Sequence, residues 1–197
     1  MTRTDIFMKK YSVSLLTVIL VFSFVLIDGS MLSLYAVGFS ALHELAHIAA
    51  LLLVGGRVGS LYAKGFGIAL KTAPLSYTQE LVTALSGPAL SLFLFLIFLP
   101  FCTRGESLFF CCFCNFSIFF VNVLPIYPLD GGRALYCLLC TKVFYRTACV
   151  ITRVISCIFL LPLCIISVII LVRTGYNLSL LIICIYLGVL ALGVKNL

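Results

Sequence analysis

Charge is what this sequence has least of. Of 197 residues only 10% are Asp, Glu, Lys or Arg and 63% are apolar, where an average soluble domain carries roughly 25% and 45–50%. So little charge excludes an ordinary water-soluble domain. Acids are the scarcest class, six against thirteen Lys and Arg, and there are just two histidines. Long polar segments are missing as well. Apolar stretches of the length that crosses a hydrocarbon core, about 17 to 25 residues, run from Tyr11 to Ile27, Met31 to Val54, Thr78 to Phe101, Leu108 to Leu124, Ile151 to Val172 and Gly175 to Val194. Lipid offers bare backbone no hydrogen-bond partner, so each stretch is expected to be helical. The expected fold class is all-α: a polytopic membrane bundle of about six transmembrane helices, one domain over residues 1–197.

The net charge of +7 reports topology. With the N-terminus inside, every Lys and Arg except Arg104 and Arg173 falls on one side of six spans, the asymmetry that orients membrane proteins. Both termini are then cytoplasmic in a multi-pass protein of the cell membrane. No basic patch interleaves with exposed aromatics, which excludes nucleic acid as a partner. The first apolar run follows Arg3, Lys9 and Lys10 as a signal peptide would, but 17 residues exceed a usual signal core, so it reads as a retained helix.

Ten cysteines would suggest disulfides in a secreted chain. Here most stand inside apolar runs, Cys111, Cys112, Cys114, Cys157, Cys164 and Cys184 among them, and read as small hydrophobes. Cys137 and Cys140 have metal-ligand spacing but no second pair. Between the second and third spans, Val58 to Ala63 and Ile68 to Thr72 read as two short strands joined by Lys64-Gly65-Phe66-Gly67, a small β-hairpin at the inner surface. The third span contains Ser86-Gly87-Pro88, a helix-breaking element that reads as close packing. After the fourth, Asn122-Val123-Leu124-Pro125-Ile126-Tyr127-Pro128-Leu129-Asp130-Gly131-Gly132-Arg133 cannot continue a regular helix. Broken backbone at membrane depth is tolerated where it lines a cavity or protein interior, which makes this segment a candidate site wall.

Both histidines lie in His43-Glu44-Leu45-Ala46-His47, inside the second span. Four residues apart on a helix, they share a face, so both imidazoles can reach one cation, and neutral imidazole is a zinc ligand. The Glu between them can take a proton from water on that cation. An ionisable group inside a span is costly and usually functional. A hydrolytic zinc site needs three protein ligands and an open position. Asp5, Asp28 and Glu106 sit in terminal or connecting segments and Glu80 begins the third span, which leaves Asp130 in the broken segment; capping the turn before Gly131-Gly132 is its other use. His47 stands seven residues from Val54, roughly 10 Å from the inner end of its helix, and Asp130 follows a helix that also ends inside.

His43-Glu44-Leu45-Ala46-His47, followed two spans later by Asn122-x-x-Pro125-x-x-Pro128-Leu129-Asp130-Gly131-Gly132, resembles the site-2 protease family of intramembrane metalloproteases over about residues 31–133. Six spans resemble its minimal branch, which includes the sporulation stage IV protease. The resemblance implies a zinc-dependent endopeptidase with one Zn²⁺ per chain on His43, His47 and Asp130, Glu44 as general base and Asn122 binding substrate backbone or assisting the oxyanion. It implies membrane-protein substrates, a membrane-tethered transcription or sigma factor among them, and a regulatory membrane protein as partner. The CBS or PDZ domains of many relatives are not expected, and Ser86-Gly87-Pro88-Ala89-Leu90-Ser91 stands where the family has Ala-Gly-Pro followed by Asn. Cleavage of a helix requires an extended segment, which the edge of the expected hairpin could hold by strand addition. Two other readings share these residues: a zinc transporter, and a catalytically inactive adaptor with structural zinc. A transport path would need polar groups through both leaflets, whereas the last two spans are bare; an adaptor would not need Glu44.

Overall fold

The computed structural model describes residues 10–14, 31–56, 58–64, 67–72, 75–174 and 178–192. They form β1 (Lys10–Ser14), α1 (Met31–Leu53), β2 (Val58–Lys64), β3 (Gly67–Thr72), α2 (Tyr77–Phe98) with a 3-10 turn at Leu99–Phe101, α3 (Glu106–Val123), α4 (Asp130–Cys140), α5 (Tyr145–Thr174) and α6 (Leu178–Leu192). The chain divides into two compact units, Met1–Phe120 and Val121–Leu197.

In the first unit α1 and α2 pack side by side in a register that can be read from one end to the other. Gln79 Nε2 donates to the Val54 carbonyl at 2.8 Å, His47 meets Thr83, His43 meets Ser91, and the rings of Phe39 and Phe98 lie 5.8 Å apart edge to face. As one partner advances along α1 the other retreats along α2, so the helices are antiparallel. Local chemistry sets both facing ends. Gly55, at φ 78°, supplies the left-handed residue that terminates α1, and Gly56 N–H closes onto the Leu51 carbonyl at 2.9 Å, a glycine C-cap. Ser76 opens α2 with a capping box shared with Gln79, satisfying two orphan N–H groups.

Between these helices β3 lies at the centre of a three-stranded antiparallel sheet of order β1-β3-β2. β2 and β3 pair Leu61 with Leu70 and Ala63 with Ile68, with an irregularity between Val58 and Leu61, and β1 pairs Tyr11 with Leu70 and Val13 with Ile68 on the other edge of β3. The expected first span is corrected here. Its opening residues are strand, because Tyr11 and Val13 alternate with Ser12 and Ser14, a period of two that favours a strand. Residues 15–30 of that run lie outside the described residues.

In the second unit α5 packs against α4 and α6. At 30 residues it measures about 45 Å at 1.5 Å per residue, longer than a ~30 Å hydrocarbon core. Among the described residues four helices, α1, α2, α3 and α5, are long and apolar enough to cross a membrane, and the apolar part of α6 is shorter. The side-chain distribution is that of a protein in lipid. Leu45, Leu53, Phe93, Phe120, Ile158 and Val172 are exposed, while Ala50, Ala84, Cys112, Thr152, Ser156 and Ser167 are buried. Small residues let helix backbones approach where apolar burial gives no drive to associate. The ten cysteines are not joined in disulfides and six of them are buried, in keeping with space-filling.

Candidate metal centre

His43 and His47 extend from α1 toward α2 and are 4% and 6% exposed. Neither ring is free to turn. His47 Nδ1 lies 2.7 Å from the Thr83 carbonyl oxygen, with Ser86 Oγ at 3.4 Å. A carbonyl can only accept, so His47 carries its proton on Nδ1 and presents a bare Nε2 lone pair. His43 Nδ1 lies 3.0 Å from the buried Ser91 Oγ. The two Nε2 atoms face each other at 3.2 Å, with the rings at 82°.

That spacing tests whether a metal fits. Two imidazole nitrogens at 2.0–2.1 Å from a tetrahedral cation stand ~3.3 Å apart, so the pair meets the requirement almost without movement. The rings can lie this close to α2 because position 87 has no side chain. A Cβ there would press on His47 Nε2 and stand 2.6 Å from His47 Cε1 and 2.7 Å from His43 Nε2.

Asp130 is the first residue of α4 and 8% exposed. The broken segment that carries it is held from several sides. Tyr127 N–H donates to Ser156 Oγ at 2.9 Å, whose own proton goes to the Thr152 carbonyl at 2.7 Å, and Ile126 is fully buried. Gly131 and Gly132 lie so close to the carbonyls of Val123 and Ile126 that neither position admits a Cβ. This explains the glycine pair: it lets the start of α4 fold back onto the turn. Arg133 Nη1 is 3.4 Å from Asp130 Oδ1, one turn along the same helix. Among the described residues one group of three side chains could hold a metal, His43, His47 and Asp130. All three residues are buried. Cys137 and Cys140 belong to no such group.

Glu44 differs from His43 and His47 in being exposed, and Asn122 is half-buried one residue before the end of α3. What sequence reasoning missed is the contribution of α2. Thr83, Gly87 and Ser91 recur every fourth residue and so form one stripe, but as small residues in a span they read as packing. A hydroxyl-glycine-hydroxyl row opposite a histidine pair was the available signal.

The long apolar helices are those of a membrane protein, and the donors of His43, His47 and Asp130 are compatible with zinc. The fold is shared with a solved structure, the Site-2 Protease from Methanocaldococcus jannaschii, to which this structure is similar with a TM-score of 0.64 over 95% of this chain and 96% of that one, at 17% sequence identity. No protein-family model and no curated protein matches the sequence.

Proposed function

We propose that this chain is a zinc-dependent intramembrane endopeptidase, with one zinc held by His43, His47 and Asp130. The observation that supports it most strongly is the imidazole pair, whose Nε2 atoms converge at 3.2 Å while Thr83 and Ser91 occupy the Nδ1 atoms. Zinc bound there supplies a Lewis acid for a scissile carbonyl and brings the pKa of its water toward ~7.

The chain's own residues do the rest. Glu44 stands about 100° around α1 from His43 and about 60° from His47, on a side of the helix open to an incoming segment. Its carboxylate receives the proton of the attacking water and delivers it to the leaving amine. The Asn122 side-chain amide holds the substrate backbone or donates to the oxyanion. Substrates are membrane proteins or membrane-tethered peptides in an extended conformation, a tethered transcription or sigma factor being the kind the family resemblance suggests, and a membrane protein would restrain the enzyme. Because β1 and β2 cover both edges of β3, strand addition would use the outer edge of β2, the strand that follows α1. The positive-inside asymmetry favours cytoplasmic termini and a site toward the cytoplasmic leaflet.

The test is cleavage of a membrane-tethered reporter by the purified chain in liposomes. Glu44→Gln should retain zinc and lose turnover by about 10³-fold or more, since proton transfer is removed along with its charge; Asp130→Asn should weaken both zinc binding and turnover. Full peptidase activity in Glu44→Gln would contradict the mechanism. Zinc uptake into the liposomes without cleavage would favour transport.

A further inference from the structure

We propose that Ser91 is a positioning residue of the metal pair, the group that sets His43 in the tautomer whose Nε2 is bare; this rests on the zinc reading above. The two histidines differ in what holds them. For His47 the tautomer is forced, because the Thr83 carbonyl 2.7 Å from Nδ1 has no hydrogen to give. For His43 it is not forced. Ser91 Oγ, 3.0 Å from Nδ1, can donate or accept.

Each choice has a distinct consequence. If Ser91 donates to Nδ1, the neutral His43 ring carries its proton on Nε2, aimed at the bare His47 Nε2 3.2 Å away. The pair is then closed by a histidine–histidine hydrogen bond and offers one lone pair. If Ser91 accepts, His43 carries the proton on Nδ1 and both Nε2 atoms present a lone pair that one cation can take. The hydroxyl proton must then turn elsewhere. A serine inside a helix has such an acceptor in the carbonyl one turn back, here that of Gly87. Passing from the first state to the second moves one proton within the His43 ring and rotates one hydroxyl, with no net gain or loss of protons. Ser91 is 1% exposed, so bulk water does not compete for either arrangement. Ser91 is thus the adjustable member of the centre and Thr83 the fixed one.

The experiment uses the full chain in detergent, with zinc affinity read by competition against a chromogenic chelator. Ser91→Ala should bind zinc ~10–100-fold more weakly, the usual cost of losing a hydrogen bond behind a metal-bound histidine, and Ser91→Thr, which keeps the hydroxyl, should recover to within about 3-fold of wild type. Because the chain has two histidines, ¹⁵N-histidine labelling yields four ring-nitrogen signals. In the zinc form of the wild type both Nδ1 signals should be those of protonated nitrogen and both Nε2 signals those of metal-bound nitrogen. Thermal unfolding of the apo proteins confirms that the variants fold. Undiminished affinity in Ser91→Ala overturns the proposal, as does equal weakness in a folded Ser91→Thr, since packing rather than the hydroxyl would then be at work. A wild type that takes up no zinc overturns the zinc reading and this inference with it, whereas a zinc-binding, cleaving wild type matched by Ser91→Ala overturns the inference alone.

Discussion

Replacing Gly87 by Ala separates the metal centre from the fold that carries it. The added methyl would press on His47 Nε2 and lie 2.6 Å from His47 Cε1 and 2.7 Å from His43 Nε2, where carbon contacts want about 3.5–4.0 Å. Something must therefore yield by about 1 Å. The helix cannot move freely, since Gln79 holds Val54 at one end and Phe98 holds Phe39 at the other. The rings must turn, against hydrogen bonds at 2.7 and 3.0 Å. Overpacking of this kind costs about 1–3 kcal/mol, and Ala returns about 1 kcal/mol over Gly within a helix. The apo protein should then lose no more than about 2 kcal/mol. Zinc binding tolerates far less, because ligand distances hold to about ±0.2 Å. We expect Gly87→Ala to fold and to bind zinc at least about 100-fold more weakly, with no zinc-dependent rise in unfolding temperature. Thermal unfolding in detergent, with and without zinc, reads both quantities. A Gly87→Ala protein with wild-type zinc affinity would refute the placement of the ion between these rings.

Two further outcomes reach beyond the histidine pair. Ser156→Ala removes the hydroxyl that accepts from the half-buried Tyr127 N–H and should destabilise the second unit by about 1 kcal/mol, the net worth of such a hydrogen bond; an unfolding free energy within about 0.3 kcal/mol of wild type would show that the segment is held by other means. Prolines scanned through Val58–Lys64 should reduce reporter cleavage at alternate positions, those whose N–H points away from β3 and would pair with substrate. Unchanged cleavage at every position would end the strand-addition proposal.

The extent to which this molecule is legible in its sequence follows the range of the forces involved. The histidine pair is a local fact: four residues on any helix place two side chains on one face, so the convergence of His43 and His47 could be expected before a fold was known. Four membrane-length helices were equally legible, since apolar length decides them, and so was the break after Val123, where Pro125 and Pro128 interrupt the helix; the glycines expected to prolong that break instead lie in the first turn of α4. The strand at Lys10–Ser14 is hidden in an apolar run long enough for a span, where only the alternation of Tyr11 and Val13 with Ser12 and Ser14 marks it. The rest was not local at all. Which residues of α2 meet α1 depends on a register set 25 residues away in sequence by Gln79 and Val54, and no pattern within α2 distinguishes Thr83, Gly87 and Ser91 as partners of the imidazoles from small residues that merely pack. Sequence alone determined a histidine pair on one face of a membrane-length helix, because that geometry is one turn long. The tertiary structure decided how the pair is aimed, because the hydrogen bonds that turn the rings come from another helix.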